Sequence, residues 1–165
     1  MFSNRISQTL HDEHRATVML MERVEHLVTS HRRAPPDVKD PATARFLREL
    51  ADGVEAEVRR HFDFEEQHLF TFLQSMGDEA IGAHLTDEHS AMRPLGEQLA
   101  ALARAGAADG FDAAGWDQFR RLSLELFERM LAHVQKEEMA LLPLIEDTMD
   151  KETETRLYLD YVGNE

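Results

Sequence analysis

Four histidines and two glutamates of this chain have the types and spacing that a metal site requires. They are His14, His61, Glu65, His89, His133 and Glu137. One histidine falls in each of four helical segments, and in two of these segments a glutamate follows four residues later. Imidazole nitrogens and carboxylate oxygens bind iron, zinc and manganese. The set therefore predicts a metal site to which four helices contribute.

All six residues fall in seams where core-facing residues recur at alternating steps of three and four. The seam of the second segment contains Val54, Val58, His61, Glu65, His68 and Phe72. The seam of the fourth segment contains Phe119, Leu122, Leu126, Met130, His133, Glu137, Ala140 and Leu144. Residues at this spacing face the interior of a helix bundle. Buried carboxylates are normally paired or coordinate a metal, and no Lys or Arg occupies the seams. An external cation is therefore the predicted partner of both glutamates.

An internal repeat relates the two halves of the chain. Asp12-Glu13-His14 matches Asp87-Glu88-His89, and the run from His61 through Glu65, Glu66 and Leu69 matches the run from His133 through Glu137, Glu138 and Leu141. Each half is thus a helix with one histidine followed by a helix with His-x-x-x-Glu. Two such halves packed about a pseudo-twofold axis suit a pair of metal ions bridged by two carboxylates.

These motifs, taken in order, resemble those of hemerythrin-like proteins, the HHE cation-binding domains. The pattern is His, then His-x-x-x-Glu-Glu-x-x-Leu-Phe, then Asp-Glu-His, then His-x-x-x-Glu-Glu-x-x-Leu-Leu-Pro, and it covers about residue 10 to residue 145. The resemblance implies a four-helix bundle that holds two iron ions in an oxo- or hydroxo-bridged, non-haem di-iron centre. It implies Glu65 and Glu137 as the bridging carboxylates. By the same resemblance, His14 and His61 hold one iron, and the histidines of the second half, His89 and His133, hold the other.

The composition narrows the classes of partner and of cofactor. The chain has 165 residues, which suits one domain, and its 32 acidic against 18 basic residues give a net charge of −14. Such a charge is repelled by nucleic acids and by anionic membranes, so neither is an expected partner. The chain has no cysteine, which excludes thiol chemistry and iron–sulfur ligation. Neither a signal peptide nor a membrane span is apparent, and a cytoplasmic protein is predicted.

Turn and cap residues divide the chain into all-α elements. We predict helices over residues 3–32, 41–75, 78–106 and 113–149, arranged as an up-down-up-down four-helix bundle. Asp40-Pro41 should begin the second helix, and Asp78 should cap the third. Residues 1–149 form the predicted hemerythrin-like domain, and residues 150–165 form a short helical tail that packs Leu157, Tyr158 and Tyr161 on the bundle.

The remaining histidines have less specific settings. His26 and His31 lie off the seam, where they would contribute favourable charge near a helix C-terminus. His68 lies on the ligand-bearing face, and we expect a buried imidazole hydrogen-bonded to a neighbour rather than a spare ligand. His84 precedes His89 by five residues, about 140° around a helix, so both can hardly bind one ion.

Further carboxylates lie beside the predicted ligands. A metal-bound imidazole usually donates its second N–H to a carboxylate or carbonyl. Glu57, one turn before His61, is our better candidate for such an acceptor. Four other glutamates each adjoin a predicted ligand in sequence and are expected mainly as solvated helix flanks, with one or two of them as alternative acceptors: Glu13, Glu66, Glu88 and Glu138. His11, about 60° around the helix from His14, is either a partner of the site or a surface residue.

Three functions suit such a chain. The first is a protein that binds or senses a small ligand such as dioxygen, nitric oxide or peroxide. The second is a di-iron enzyme that decomposes peroxide, reduces nitric oxide or repairs iron centres. The third, a ferritin-like protein, needs Glu-x-x-His on two helices, but only Glu65 and His68 fit that motif. Oxygen-carrying hemerythrins have a fifth histidine in a His-x-x-x-His pair; here Leu85 and Arg93 flank His89 at that spacing, which weighs against reversible oxygen carriage. We therefore favour the first function, with enzymatic activity left open.

Overall fold

The computed structural model describes residues 2–163, and within that range it contains helices and no strands. The all-helical prediction is thereby confirmed. Helix α1 is Arg5–Ser30, α2 spans residues 41–75, α3 is Ala80–Asp109, α4 spans residues 113–148, and α5 is Lys151–Val162. Helix α2 contacts α1 and α3, α3 contacts α4, and α1 also contacts α4 and α5. No helix of the described chain is long and apolar enough to cross a membrane.

Helix α2 begins where its sequence predicts and ends in a glycine turn. The side chain of Asp40 accepts hydrogen bonds from the backbone N–H groups of Ala42 and Thr43, and Pro41 occupies the first turn. At the other end, Gly77 adopts φ 88°, and the N–H of Asp78 donates to the carbonyl of Leu73. Asp78 thus closes α2, and the prediction that it caps α3 was wrong. Helix α3 begins two residues later.

Three wide π-helical turns interrupt α2 and α4. Their segments are Glu57–His61 and Glu65–Leu69 in α2, and Glu137–Leu141 in α4. In the last two, the N–H of Phe70 donates to the carbonyl of Glu65, and that of Leu142 donates to Glu137. Such turns insert one residue into the helical repeat and are frequent at functional sites. Both begin at a glutamate that the sequence predicts as a bridging ligand.

The inserted residue moves the core-facing seam by one position. After Glu65, the buried residues include Leu69 and Leu73, whereas the regular spacing predicted His68 and Phe72. After Glu137, the buried residues include Leu141 and Ile145, whereas the spacing predicted Ala140 and Leu144. His68 is consequently half-buried against the ring of Phe64, and Ala140 is exposed. The predicted seam was therefore wrong beyond the π turns that begin at Glu65 and Glu137, and right as far as those two residues.

Two apolar clusters lie on either side of the polar residues along each long helix. In α3, Leu85 belongs to one cluster and Met92 to the other, and His89 lies between them. Helix α4 repeats the arrangement, because Met130 precedes His133 and Leu141 follows Glu137. The polar residues thus occupy a layer that apolar packing encloses from both ends. Removing apolar surface from water in the two clusters stabilises the fold by about 25 cal/mol per Å².

Candidate metal centre

The six predicted residues converge in the layer between the two apolar clusters. Each of them is at most 2 % exposed. They form two groups, within each of which one ligand atom per residue lies within 4.8 Å of all the others. The first group is His14, His61, Glu65 and Glu137. The second group is Glu65, His89, His133 and Glu137. Both glutamates are therefore shared between the groups.

Each shared carboxylate presents one oxygen to each group. Glu65 places Oε1 at 3.3 Å from Nε2 of His61 and Oε2 at 3.4 Å from Nε2 of His89. Glu137 places Oε2 at 3.0 Å from Nε2 of His14 and Oε1 at 2.9 Å from Nε2 of His133. This is the disposition that two carboxylates need in order to bridge a pair of cations.

The four carboxylate oxygens fit a metal centre because they are buried and face only imidazole nitrogens. Apart from those imidazoles, no described residue offers the oxygens of Glu65 and Glu137 a hydrogen-bond donor. Leaving such groups unsatisfied costs free energy, whereas coordination to a cation satisfies them. Within each group the two imidazole Nε2 atoms also face each other, at 3.3 Å for His14 and His61 and at 3.0 Å for His89 and His133.

A second set of glutamates holds the far side of every imidazole. Nδ1 of His14 lies 2.7 Å from Glu138, and Nδ1 of His61 lies 2.9 Å from Glu13. The second half repeats these contacts: Nδ1 of His89 lies 2.8 Å from Glu66, and Nδ1 of His133 lies 2.9 Å from Glu88. We call these four residues the outer glutamates: Glu13, Glu66, Glu88 and Glu138. All four face an imidazole, where the sequence predicted one or two such acceptors and solvated helix flanks for the rest.

The outer glutamates link the helices in a closed ring. Each of α1 to α4 carries one imidazole and one outer glutamate, and every glutamate reaches the imidazole of a neighbouring helix: α1 to α2, α2 to α3, α3 to α4 and α4 back to α1. A carboxylate beside Nδ1 favours the tautomer that carries its proton there, because the N–H then donates to it. Nε2 of every ring is thereby left free to face the centre.

Electrostatics decide the charge of these groups in the metal-free protein. Burial lowers the pKa of His14, but Glu137 and Glu138 outweigh it and raise that pKa to about 10. Burial also lowers the pKa of His89, and Glu137 and Glu65 raise it to about 9. Conversely, burial raises the pKa of Glu137, but neighbouring imidazoles hold it well below the usual range. These shifts favour protonated imidazoles beside ionised carboxylates when no cation is bound, and a cation that binds there displaces those protons.

Glu57 does not hold an imidazole, and that prediction was wrong. Its Oε2 accepts a hydrogen bond from Oγ1 of Thr17 at 2.8 Å, while its buried Oε1 has no hydrogen-bond partner. His11, by contrast, does join the site's surroundings, since its Nδ1 lies 2.8 Å from Oε2 of Glu138. His84 is largely exposed and lies in neither group. The rings around His89 complete the packing, because Phe62 stacks on it with centroids 3.8 Å apart.

Tyr161 is a neighbour of the centre that the sequence pattern does not indicate. The structure places its hydroxyl against Glu13, at one position of the ring of outer glutamates. The residue lies in α5, whose direction along the bundle depends on contacts with distant residues. The sequence predicted that Tyr161 packs on the bundle, but nothing in its spacing indicates this partner.

The comparison with known families agrees with the geometry. The family model described as the hemerythrin HHE cation-binding domain matches residues 5–145, which include all six converging residues and the outer glutamates. None of the curated proteins matches the chain significantly, and none of the solved structures does. The match covers most of the chain and ends before α5. With buried His and Glu groups able to hold a metal, the chain belongs to the hemerythrin HHE cation-binding family.

Proposed function

We propose that this chain is a cytoplasmic, non-haem di-iron protein that binds or senses dioxygen, nitric oxide or peroxide. The observation that carries the proposal is the pair of buried carboxylates, each with one oxygen toward either group of imidazoles. In the proposed site His14 and His61 hold one iron, His89 and His133 hold the other, and the carboxylates bridge them. Bound iron would supply a redox-active Lewis acid. In this proposal the four long helices around it run up-down-up-down.

The protein's own residues orient and enclose this centre. The outer glutamates fix the imidazole rings, and the apolar clusters exclude water above and below. Each group offers two imidazole nitrogens and two carboxylate oxygens, which is fewer than the six donors that octahedral iron takes. Free positions on both ions favour binding of a small ligand.

The residues beside His89 support this donor count. Leu85 is fully buried in an apolar cluster and offers no donor. The guanidinium of Arg93 is a cation that donates to the carbonyl of Val58 and to Glu66. Neither residue therefore supplies the additional metal ligand that a fifth histidine would provide. A surface cleft of about 330 Å³ runs past His11, His14 and Glu138, and it provides an approach for small molecules.

Metal analysis of freshly purified protein tests the first part of the proposal. We expect two iron ions per chain and, in the oxidised protein, the optical absorption of an oxo-bridged iron pair. One ion per chain, or zinc or manganese in place of iron, would contradict the di-iron assignment.

Gas binding tests the second part. Protein loaded with ferrous iron should bind nitric oxide. On exposure to air its ferrous spectrum should be lost and should not return under vacuum. Leu85→His would place an imidazole one turn before His89 and should slow this oxidation. Leu85→Asn is the control, since it adds a polar group without an imidazole. A ferrous spectrum restored by vacuum in the wild type would instead indicate an oxygen carrier.

The alternative is a di-iron enzyme that decomposes peroxide, reduces nitric oxide or repairs iron centres. The same observation favours it, because free positions on both ions also suit redox turnover. Peroxide consumption by many equivalents per centre would establish the enzyme, and a single equivalent would favour the sensor. The peroxide that remains after mixing with di-ferrous protein gives the number of equivalents, and an oxygen electrode detects the dioxygen that disproportionation would release.

A further inference from the structure

The C-terminal helix α5 lies outside the family match, yet it brings a side chain to the ring of outer glutamates. Tyr161 is 3 % exposed, and its hydroxyl donates to Oε2 of Glu13. The same oxygen lies 2.9 Å from Nδ1 of His61. A continuous hydrogen-bonded chain therefore runs from a phenol of α5 through a carboxylate of α1 to an imidazole of α2.

Two further contacts hold α5 in the position that this chain needs. Glu154, near the start of α5, is 1 % exposed, and its Oε1 accepts from Nε of Arg5 at 2.9 Å. Leu157 is buried in the apolar cluster on that side of the centre. Residues 154, 157 and 161 share one helix face because their spacing is three and then four. The face that docks α5 on α1 is thus the face that carries the phenol.

The phenol is held as a donor between α1 and α2. The guanidinium of Arg60 lies 4.6 Å from the centroid of the Tyr161 ring, and it also pairs with Oε1 of Glu13 at 2.6 Å. The ring of Phe64 packs with its centroid 4.2 Å away. Burial raises the pKa of Tyr161, so the hydroxyl keeps its proton at neutral pH.

This arrangement distinguishes one quarter of the ring of outer glutamates from the others. Arg93 pairs with Glu66, Lys136 with Glu88, and His11 with Glu138. Glu13 pairs with Arg60 in the same way, but it also accepts a hydrogen bond from the hydroxyl of Tyr161 in α5. Without that hydroxyl, Arg60 and His61 compete for the carboxylate of Glu13. The carboxylate can then turn toward Arg60 and away from the imidazole of His61.

We propose that Tyr161 is a positioning residue for His61, so that the docking of α5 sets how firmly the His14–His61 half of the centre holds its metal. The inference rests on the proposed di-iron site and goes beyond it, because only the iron held by His14 and His61 would depend on the docking of α5. Partners that are hydrogen-bonded to metal ligands contribute roughly 10–100-fold to metal affinity. Tyr161 acts through Glu13, so we expect an effect near the lower bound.

The matched variants are Tyr161→Phe and Tyr158→Phe in the full-length protein. Both remove one hydroxyl from α5 and keep the ring. Tyr158 lies three residues before Tyr161 on the same helix, and its ring packs on Arg5. In metal-free protein labelled with ¹⁵N-histidine, Tyr161→Phe should shift the Nδ1–H signal of His61 and leave those of His89 and His133 in place. Tyr158→Phe should change none of them.

Iron release provides the second readout. From protein loaded with ferrous iron, excess chelator should remove about half of the metal roughly tenfold faster in Tyr161→Phe than in wild type, with the other half unaffected. Equal acceleration of both halves would mean general loosening and would overturn the inference. An unchanged His61 signal would overturn it as well. The signal is measured without metal, so it decides the role of Tyr161 even if the chain proves not to bind iron.

Discussion

Replacing Glu138 with glutamine should weaken metal binding although Glu138 is not itself a predicted ligand. Its Oε1 lies 2.7 Å from Nδ1 of His14, and its Oε2 lies 2.8 Å from Nδ1 of His11. Both contacts are short and involve a charged acceptor, which makes them stronger than neutral hydrogen bonds. Glu138→Gln keeps the size of the side chain but removes the charge and one acceptor. The ring of His14 then loses the partner that fixes its tautomer and orientation.

The expected loss of metal affinity can be bounded. Removing a hydrogen-bond partner of a metal-ligating histidine typically lowers metal affinity roughly 10–100-fold, or about 1.4 to 2.7 kcal/mol. The side chain of Glu138 is 26 % exposed, so solvent screens part of its charge. The amide oxygen can also still accept one hydrogen bond. We therefore expect a loss near tenfold, about 1.4 kcal/mol.

Anaerobic competition for ferrous iron against a chelator of known affinity measures this difference. The control is Glu128→Gln, which removes the same charge from the same helix at an exposed position ten residues earlier. Its iron affinity should match that of the wild type. Equal affinities for all three proteins would refute the view that the outer glutamates hold the imidazoles, and equal losses in both variants would reduce the effect to net charge.

Four further outcomes follow from the same structure. His133→Ala and Glu137→Ala should each lower the iron content sharply, whereas exposed His26→Ala should keep it, as metal analysis would show. Removing the metal should lower the melting temperature but leave the helical circular dichroism, because apolar clusters flank the centre. In the folded protein Glu137 and Glu138 raise the pKa of His14 from 6.5 to about 10. The stability that protonated His14 gains from these carboxylates is therefore complete below pH 6.5 and is lost as the pH rises toward 10. Metal-free protein should accordingly become easier to unfold with denaturant across that range. Gly96→Ala would bring a Cβ within 2.6 Å of a valine methyl of α2 and should destabilise by about 1–3 kcal/mol in the same assay.

The sequence by itself determined the composition of the predicted centre. Which residues face inward depends on helical periodicity, which is local, and the internal repeat paired the two His-x-x-x-Glu motifs. Residue spacing alone therefore assigned both motifs to one core, His61 with Glu65 and His133 with Glu137. The start of α2 was equally local, because the cap of Asp40 involves residues two and three positions away.

The tertiary structure decided what surrounds that centre. The order and rotation of the helices decide whether the flank of one helix meets water or the imidazole of its neighbour. Helical spacing alone therefore did not predict that all four outer glutamates contact an imidazole. The π turns at Glu65 and Glu137 depend on a choice between hydrogen bonds one residue apart, so regular helical spacing did not predict the shift of the seam to Leu69 and Leu141. Tyr161 meets Glu13 across 148 positions of the chain, a contact that only the docking of α5 on α1 creates.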